Sequence, residues 1–137
     1  MKALLIGGTG TISLPISKQL IALGGELTVL NRGRAKELLP QAEAITVDMA
    51  DADAVKEKLK GRHFDVVAQF IAYTPDQIAR DIELFHGRCN QYIFISSASA
   101  YHKPPLYPFV RESTPLYNPF WKYSQNKAAC EEVLMKA

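Results

Sequence analysis

Cysteine is nearly missing from this 137-residue chain, with Cys89 and Cys130 the only two. That is too few for a disulfide scaffold or a metal site, so two reduced thiols are expected. Histidine is almost as scarce, and His63, His86 and His102 are dispersed without ligand spacing. No charge of one sign dominates. Sixteen Lys and Arg against fourteen Asp and Glu leave a net charge of +2, with the basic residues scattered. Such a balance gives no basic stripe, which argues against nucleic acid or an anionic membrane surface as the main partner. Long apolar runs are missing too, since none approaches the roughly 20 residues that cross a bilayer. Ala3 to Ile6 is short and runs straight into glycines, so no cleavable signal is expected and a cytoplasmic location is. Repeats and low-complexity tracts are also lacking. What remains is 47% hydrophobic and 22% charged, an ordinary globular composition, in a length that suits a single domain with a real core.

The most informative stretch is Lys2-Ala-Leu-Leu-Ile-Gly-Gly-Thr-Gly-Thr-Ile-Ser13. A short apolar strand, Ala3 to Ile6, breaks into Gly7, Gly8 and Gly10, and an amphipathic helix follows. Glycines let the backbone turn sharply and approach a pyrophosphate, while the helix N-terminus offers unpaired N–H groups and a partial positive charge. Ile12, Leu14, Ile16, Leu20, Ile21 and Leu23 are expected to form the helix's apolar face, with Pro15 in its first turn and Gly24-Gly25 ending it. Further strands are expected at Leu27–Leu30, Ala44–Val47, Asp65–Ile71 and Gln91–Ile95. Helical segments are expected at Arg34–Leu39, from Asp51 or Asp53 through Leu59, at Pro75–Phe85, and from about Phe120 onward. Ser96 to Pro119 reads as a long loop rich in proline and aromatics, which either walls a pocket or packs over the sheet. Alternating strand and helix predicts an α/β fold, a doubly wound, Rossmann-like parallel sheet of about five strands in the order 3-2-1-4-5. Ligands of such sheets bind beyond the C-terminal strand ends, where the order reverses. The glycine loop, Asn31-Arg32, Asp48, Ala72 and Ser97 each follow one strand and so are predicted on that rim.

Tyr123 and Lys127 lie four apart at the start of a helix and share one face. A phenol titrates near pKa ~10, and an ammonium held close favours the phenolate, which makes the pair a proton-transfer device. A tyrosine packed on a lysine stem is the plainer alternative for the motif alone. Ser97 is a candidate to bond a substrate oxygen, whereas Ser96 and Ser99 read as hydroxyls that satisfy turn backbone. Asp48 either accepts from an adenine amino group or forms a turn. Asn31-Arg32-Gly33-Arg34 carries no acid to bind a ribose 2′-hydroxyl and offers two guanidiniums suited to a 2′-phosphate, so NADP is favoured over NAD.

Together, Gly7-Gly8-Thr9-Gly10, Asp48, Ser97 and Tyr123-x-x-x-Lys127 resemble the extended short-chain dehydrogenase/reductase family, the NAD-dependent epimerase/dehydratase group. The likeness covers essentially the whole chain, including Tyr101 through Glu112, Pro115, and Pro119 to Tyr123. It implies Tyr123 as acid/base, Lys127 as the residue that binds the nicotinamide ribose and tunes the tyrosine, and Ser97, four before Tyr101, as the group that polarises substrate. The cofactor contacts it implies are Gly7, Gly8, Thr9, Gly10, Thr11, Ile12, Asn31, Arg32, Asp48, Met49, Ala72 and Lys127. The implied activity is a nicotinamide-dependent oxidoreductase, epimerase or dehydratase acting on a small hydroxylated substrate, with a nucleotide sugar as the expected class. Two departures stand out. Ser13 replaces the family's third glycine, for which a slightly looser loop is expected. The chain also stops soon after the tyrosine helix, so residues 1–137 are expected to be the dinucleotide-binding domain without the substrate lobe. The rival readings are a non-catalytic NAD(P) sensor and an RNA-binding relative. A homodimer through helices 75–85 and 120–135 is a further expectation.

Overall fold

The computed structural model describes residues 1–33 and 35–137, which fall into two compact units. The first comprises Met1–Ile71 with Leu84–Phe94, and the second Ala72–Glu83 with Ile95–Ala137. The first unit holds all five strands: β1 (Lys2–Ile6), β2 (Glu26–Asn31), β3 (Glu43–Thr46), β4 (Phe64–Gln69) and β5 (Cys89–Phe94). They pair in parallel in the order β3-β2-β1-β4-β5, as the alternating pattern predicts. Sequential side chains on β1 alternate between two cores. Leu4 and Ile6 join Leu30, Val55, Val67 and Phe85 on one side, while Ala3 and Leu5 join Leu27, Val29, Leu39 and Ala68 on the other. Burial on both faces is why the strands read as continuous apolar runs. Among the described residues, no helix is long and apolar enough to cross a membrane.

Helix α1 (Ser13–Ala22) follows the glycine turn, and Pro15 sits in its first turn. Its expected apolar face needs correction. The buried residues are Ser13 and Ser17, whereas Ile12 is 63% exposed and Leu23 78%. Leu14, Leu20 and Ile21 do pack partly against the core. The cause is spacing: α1 comes so close to the strands that a Cβ on Gly8 would meet Ser17 Oγ and Val29 Cγ1 at 3.2 Å each. Only small side chains fit there. Helix α2 spans Ala35–Leu38, and the expected start at Arg34 lies outside the described residues. Helix α3 (Ala52–Lys58) is capped by Asp51, whose Oδ1 accepts from Ala54 N at 3.0 Å. Helix α4 covers Pro75–Phe85 as expected.

The second unit contains a 3-10 turn, Ala98–Ala100, and helix α5, Lys122–Met135. The expected start near Phe120 is corrected by Trp121, whose extended backbone (φ −137°, ψ 115°) precedes the first turn. The segment after Ser97 doubles back on itself: Tyr101 pairs with Leu116, His102 N donates to Pro115 O at 2.9 Å, and Lys103 N to Tyr117 O at 2.8 Å. Its aromatics stay largely outside, with Tyr107, Phe109 and Phe120 each about three-quarters exposed.

Candidate functional site

The first unit contributes a loop between β1 and α1 that is held from within. Gly7 takes φ +81°, a left-handed value that favours glycine. Its N–H donates to Leu30 O on β2 at 2.9 Å, which ties the turn to the sheet. Ser13 Oγ accepts from Gly10 N at 2.9 Å and donates to Gly7 O at 2.7 Å. Ser17 Oγ donates to Gly8 O at 2.8 Å. The looser loop expected from serine in place of a third glycine is therefore not what forms, because that serine pins the turn.

With the loop carbonyls turned toward α1, the donors at the helix start stay available. Ile12 is the N-cap, offers no side-chain cap, and the first turn holds no acidic residue. Among the described residues, no protein group accepts from the N–H of Thr11 or Ile12. Unpaired donors, the positive end of a helix dipole and glycines without side chains together suit a diphosphate.

The other rim residues of this unit are placed less simply. Asn31 ends β2, and its side chain is already engaged, with Oδ1 accepting from Gly33 N at 2.9 Å and Nδ2 donating to Thr9 Oγ1 at 3.3 Å. It braces the glycine loop against the next turn. Arg32 is exposed, as is Asp48, whose Oδ1 accepts from Ala50 N at 2.9 Å. The turn-forming reading of Asp48 is thus present in the structure. Met49 is 7% exposed and belongs to the core, so any ligand contact there falls to its backbone. Ile71, just past β4, was missed by sequence reasoning. It lies against the loop, where a Cβ on Gly7 would stand 2.5 Å from its Cγ2.

The second unit brings together Tyr123, Lys127 and the serines that follow β5. Lys127 is 2% exposed on α5. Its Nζ donates to Ala72 O at 2.9 Å and to Ile95 O at 2.8 Å. It stands 5.9 Å from the centroid of the Tyr123 ring and 5.1 Å from that of Tyr73, within the range where a cation is drawn to a ring face. Burial pushes the Lys127 ammonium below its usual range, and Cys130 and Glu131 partly oppose that. Tyr123 lies between two further rings, Trp121 at 4.8 Å and Tyr73 at 6.3 Å between centroids. Gln77 Oε1 accepts from the backbone N of Tyr73 at 2.6 Å and of Thr74 at 3.1 Å, which fixes where Tyr73 starts.

Ser97 and Ser99 share a hydroxyl–hydroxyl bond of 2.8 Å, and Ser124 Oγ donates to Ser99 Oγ at 2.8 Å. Ser96 is turned elsewhere, bonded to the Glu131 carboxylate. Helix α5 therefore holds the segment Ile95-Ser96 twice, one turn apart, through Lys127 on Ile95 O and Glu131 on Ser96. Sequence reasoning missed Tyr73, Ser124 and Glu131. Only Tyr73 left a trace, directly after the predicted rim residue Ala72.

Comparison with known proteins adds a family to this geometry. Residues 3–137 match the model of the NAD dependent epimerase/dehydratase family. A UDP-glucose 4-epimerase from Lactobacillus helveticus is 28% identical over 154 aligned positions, which cover 98% of this chain and 46% of that protein. The chloroplast stem-loop binding protein of 41 kDa b from Arabidopsis thaliana is 30% identical over 81% of this chain and 33% of its own length. Among solved structures, the UDP-Glc/GlcNAc 4-epimerase of Campylobacter jejuni superimposes with a TM-score of 0.85 at 26% identity, covering 98% of this chain and 48% of that one. The chain thus spans about half the length of the epimerases it matches. With a family match over nearly its full length, this chain belongs to the NAD-dependent epimerase/dehydratase family.

Proposed function

We propose that this chain carries the dinucleotide-binding and proton-transfer parts of a nicotinamide-dependent epimerase, dehydratase or reductase whose substrate is a hydroxylated compound of the nucleotide-sugar class. Residues 1–137 serve in this reading as the dinucleotide-binding domain. One observation carries it: a nearly fully buried ammonium at Lys127, held by two backbone carbonyls beside the ring of Tyr123. A buried cation costs free energy unless it is paired. The chain spends that cost next to a phenol, which is where proton transfer makes use of it. The bound nicotinamide supplies hydride acceptance and return. Tyr123 takes the hydroxyl proton as the substrate carbon is oxidised and gives it back on reduction. Lys127 favours the phenolate and holds the nicotinamide ribose. Ser97 bonds the reacting oxygen. Gly7, Gly8, Thr9, Gly10, Thr11 and Ile12 hold the diphosphate, while Asp48, the Met49 backbone, Ala72 and Asn31 border the remaining cofactor. Arg32, with no acid after β2, favours a 2′-phosphate and hence NADP over NAD.

The test uses NAD+ and NADP+ titrated separately, then UDP-glucose as substrate probe with each. Saturable binding, tighter for NADP+, and turnover that falls by about 10²-fold or more in Tyr123→Phe are expected. Wild-type turnover in Tyr123→Phe removes the catalytic assignment. Dinucleotide binding without any turnover by the full-length protein supports the sensor reading instead. The likeness to a stem-loop binding protein favours a second reading, recognition of a nucleic-acid stem-loop, against which the net charge of +2 stands. Negligible affinity for an RNA hairpin at low salt eliminates it. Pairing of two copies through helices 75–85 and 120–135 belongs to the same proposal, and sedimentation as a monomer at high concentration excludes it.

A further inference from the structure

We infer that Tyr73 is a positioning residue for the proton-transfer pair, its ring face holding the Lys127 ammonium in place beside Tyr123. The inference rests on the roles proposed for Tyr123 and Lys127, and the geometry around Nζ carries it. Lys127 Nζ donates to two carbonyls, Ala72 O at 2.9 Å and Ile95 O at 2.8 Å. The residue after Ala72 is Tyr73, and its ring centroid lies 5.1 Å from the same Nζ, nearer than the 5.9 Å of Tyr123. One short turn thus meets the ammonium twice, by a carbonyl and by a ring. The two tyrosine rings also touch, tilted 44° at 6.3 Å between centroids. The sequence explains why this turn stays put. Thr74-Pro75-Asp76-Gln77 has the spacing of a capping box at the start of α4, with Pro75 the first helical residue. Gln77 Oε1 accepts from the backbone N of Thr74 at 3.1 Å, as that motif requires, and also from Tyr73 N at 2.6 Å. The ring therefore springs from a backbone that is fixed from the helix side.

A ring face matters here because the lysine is 2% exposed. The attraction of a ring's negative face for a cation strengthens when both are removed from water. Cys130, Glu131 and Tyr123 act on Lys127 from its own helix, and Tyr73 faces it from the segment before α4. Glu131 is already bonded to Ser96. Burial lowers the Lys127 ammonium from its ordinary 10.5, so a ring that favours the charged form works against that loss. What it preserves is the positive charge that favours the Tyr123 phenolate. Tyr73 itself is 45% exposed, so replacing it leaves the core untouched.

The test follows the lysine Cε resonances against pH by NMR, with Lys127 assigned by its loss in Lys127→Arg. A Tyr123→Phe background keeps two coupled groups from titrating as one. Tyr73→Leu keeps apolar bulk but removes the ring face, and it is expected to raise the acid dissociation constant of Lys127 about fivefold. Tyr73→Phe keeps the face and is expected to leave that constant within about twofold. No change in Tyr73→Leu overturns the inference. So does a fall, which leaves the ring only the exclusion of water, and so does an equal rise in Tyr73→Phe, which assigns the effect to the hydroxyl. A second measurement uses the full-length protein with Tyr123 in place and NADP+ and UDP-glucose as probes. The rise of kcat with pH is expected to move to higher pH in Tyr73→Leu and to stay where it is in Tyr73→Phe. Matching profiles in wild type and both variants overturn the positioning role. Absence of wild-type turnover counts against the proposed activity alone, because the lysine titration still decides what the ring does.

Discussion

At Gly7 two separate constraints meet. The residue sits at φ +81°, and an added Cβ would lie 2.5 Å from Ile71 Cγ2. The left-handed backbone alone costs a non-glycine residue about 1–2 kcal/mol, and the clash adds to it, so Gly7→Ala is expected to destabilise by about 2–3 kcal/mol in urea unfolding. Removing Cγ2 separates the two, since Ile71→Ala in the Gly7→Ala background should return the steric part and leave the backbone part. Simple additivity of the two losses would show that the contact does not matter. Lys127 gives a pH prediction. Its folded value is lowered by burial from the ordinary 10.5, so between the folded value and about 10.5 the unfolded chain binds more protons. Stability due to this residue is therefore missing below the folded value and recovered as pH rises toward 10.5. Among the groups that face it are Glu131 and the thiol of Cys130 on its own helix, with the Tyr73 and Tyr123 rings and two carbonyls opposite. Burial pushes the Cys130 thiol up, so the comparison belongs in a Cys130→Ala background. There the stability of the chain relative to its Lys127→Met variant should climb as pH rises toward 10.5, and a flat difference refutes the burial account.

Helix α1 buries Ser13 and Ser17 more deeply than Leu14, Leu20 or Ile21. Leu23, 78% exposed, should tolerate replacement by serine within about 0.5 kcal/mol. Ser17→Val should cost about 1–3 kcal/mol through overpacking, with the lost bond to Gly8 O adding about 1 kcal/mol. Thermal unfolding of the two variants checks the order, and a more harmful Leu23→Ser would show that α1 is not seated through its serines. The same helix shows what sequence could and could not reveal. The strands were legible because Leu4, Val29 and Val67 lie in unbroken apolar runs buried on both sides. Tyr123 and Lys127 were legible because helical spacing alone brings i and i+4 together. The buried face of α1 was not, because it depends on how closely the backbone approaches the sheet. Ser99 and Ser124, 25 positions apart, and the Tyr101–Leu116 bridge arise only once distant segments meet. Asn31 looked like a ligand contact by position, yet its amide braces Thr9 and Gly33. Position on a rim and availability of a side chain are different properties, and only the first is written in the order of strands.

Taken across the molecule, the two edges of the sheet are treated unequally. At β3, Glu43 is bonded by Arg62 Nη1 at 2.7 Å and also engages Thr28 of β2, so charged side chains lie over that border. Arg62 holds the Glu43 carboxyl below its usual range, and the pair's contribution fades as pH falls below about 4.5. It is largely exposed and worth only about 0.2–1 kcal/mol. At β5 the ladder is made with β4 alone, and no strand pairs with its other side among the described residues. Ile93 on that strand is 37% exposed. A border strand that exposes Asn90, Gln91 and Ile93 and carries no charged side chain, on a chain of net charge +2, has little to keep a second copy away. Concentration-dependent association through β5 is therefore expected, and Ile93→Lys should suppress it in light scattering while shifting stability by less than about 1 kcal/mol. The same charge placed at exposed Ala50 is the control. Ala50→Lys raises the net charge equally without touching the strand, so it should leave association unchanged. Equal suppression by both variants would assign the effect to overall repulsion and remove β5 from the account.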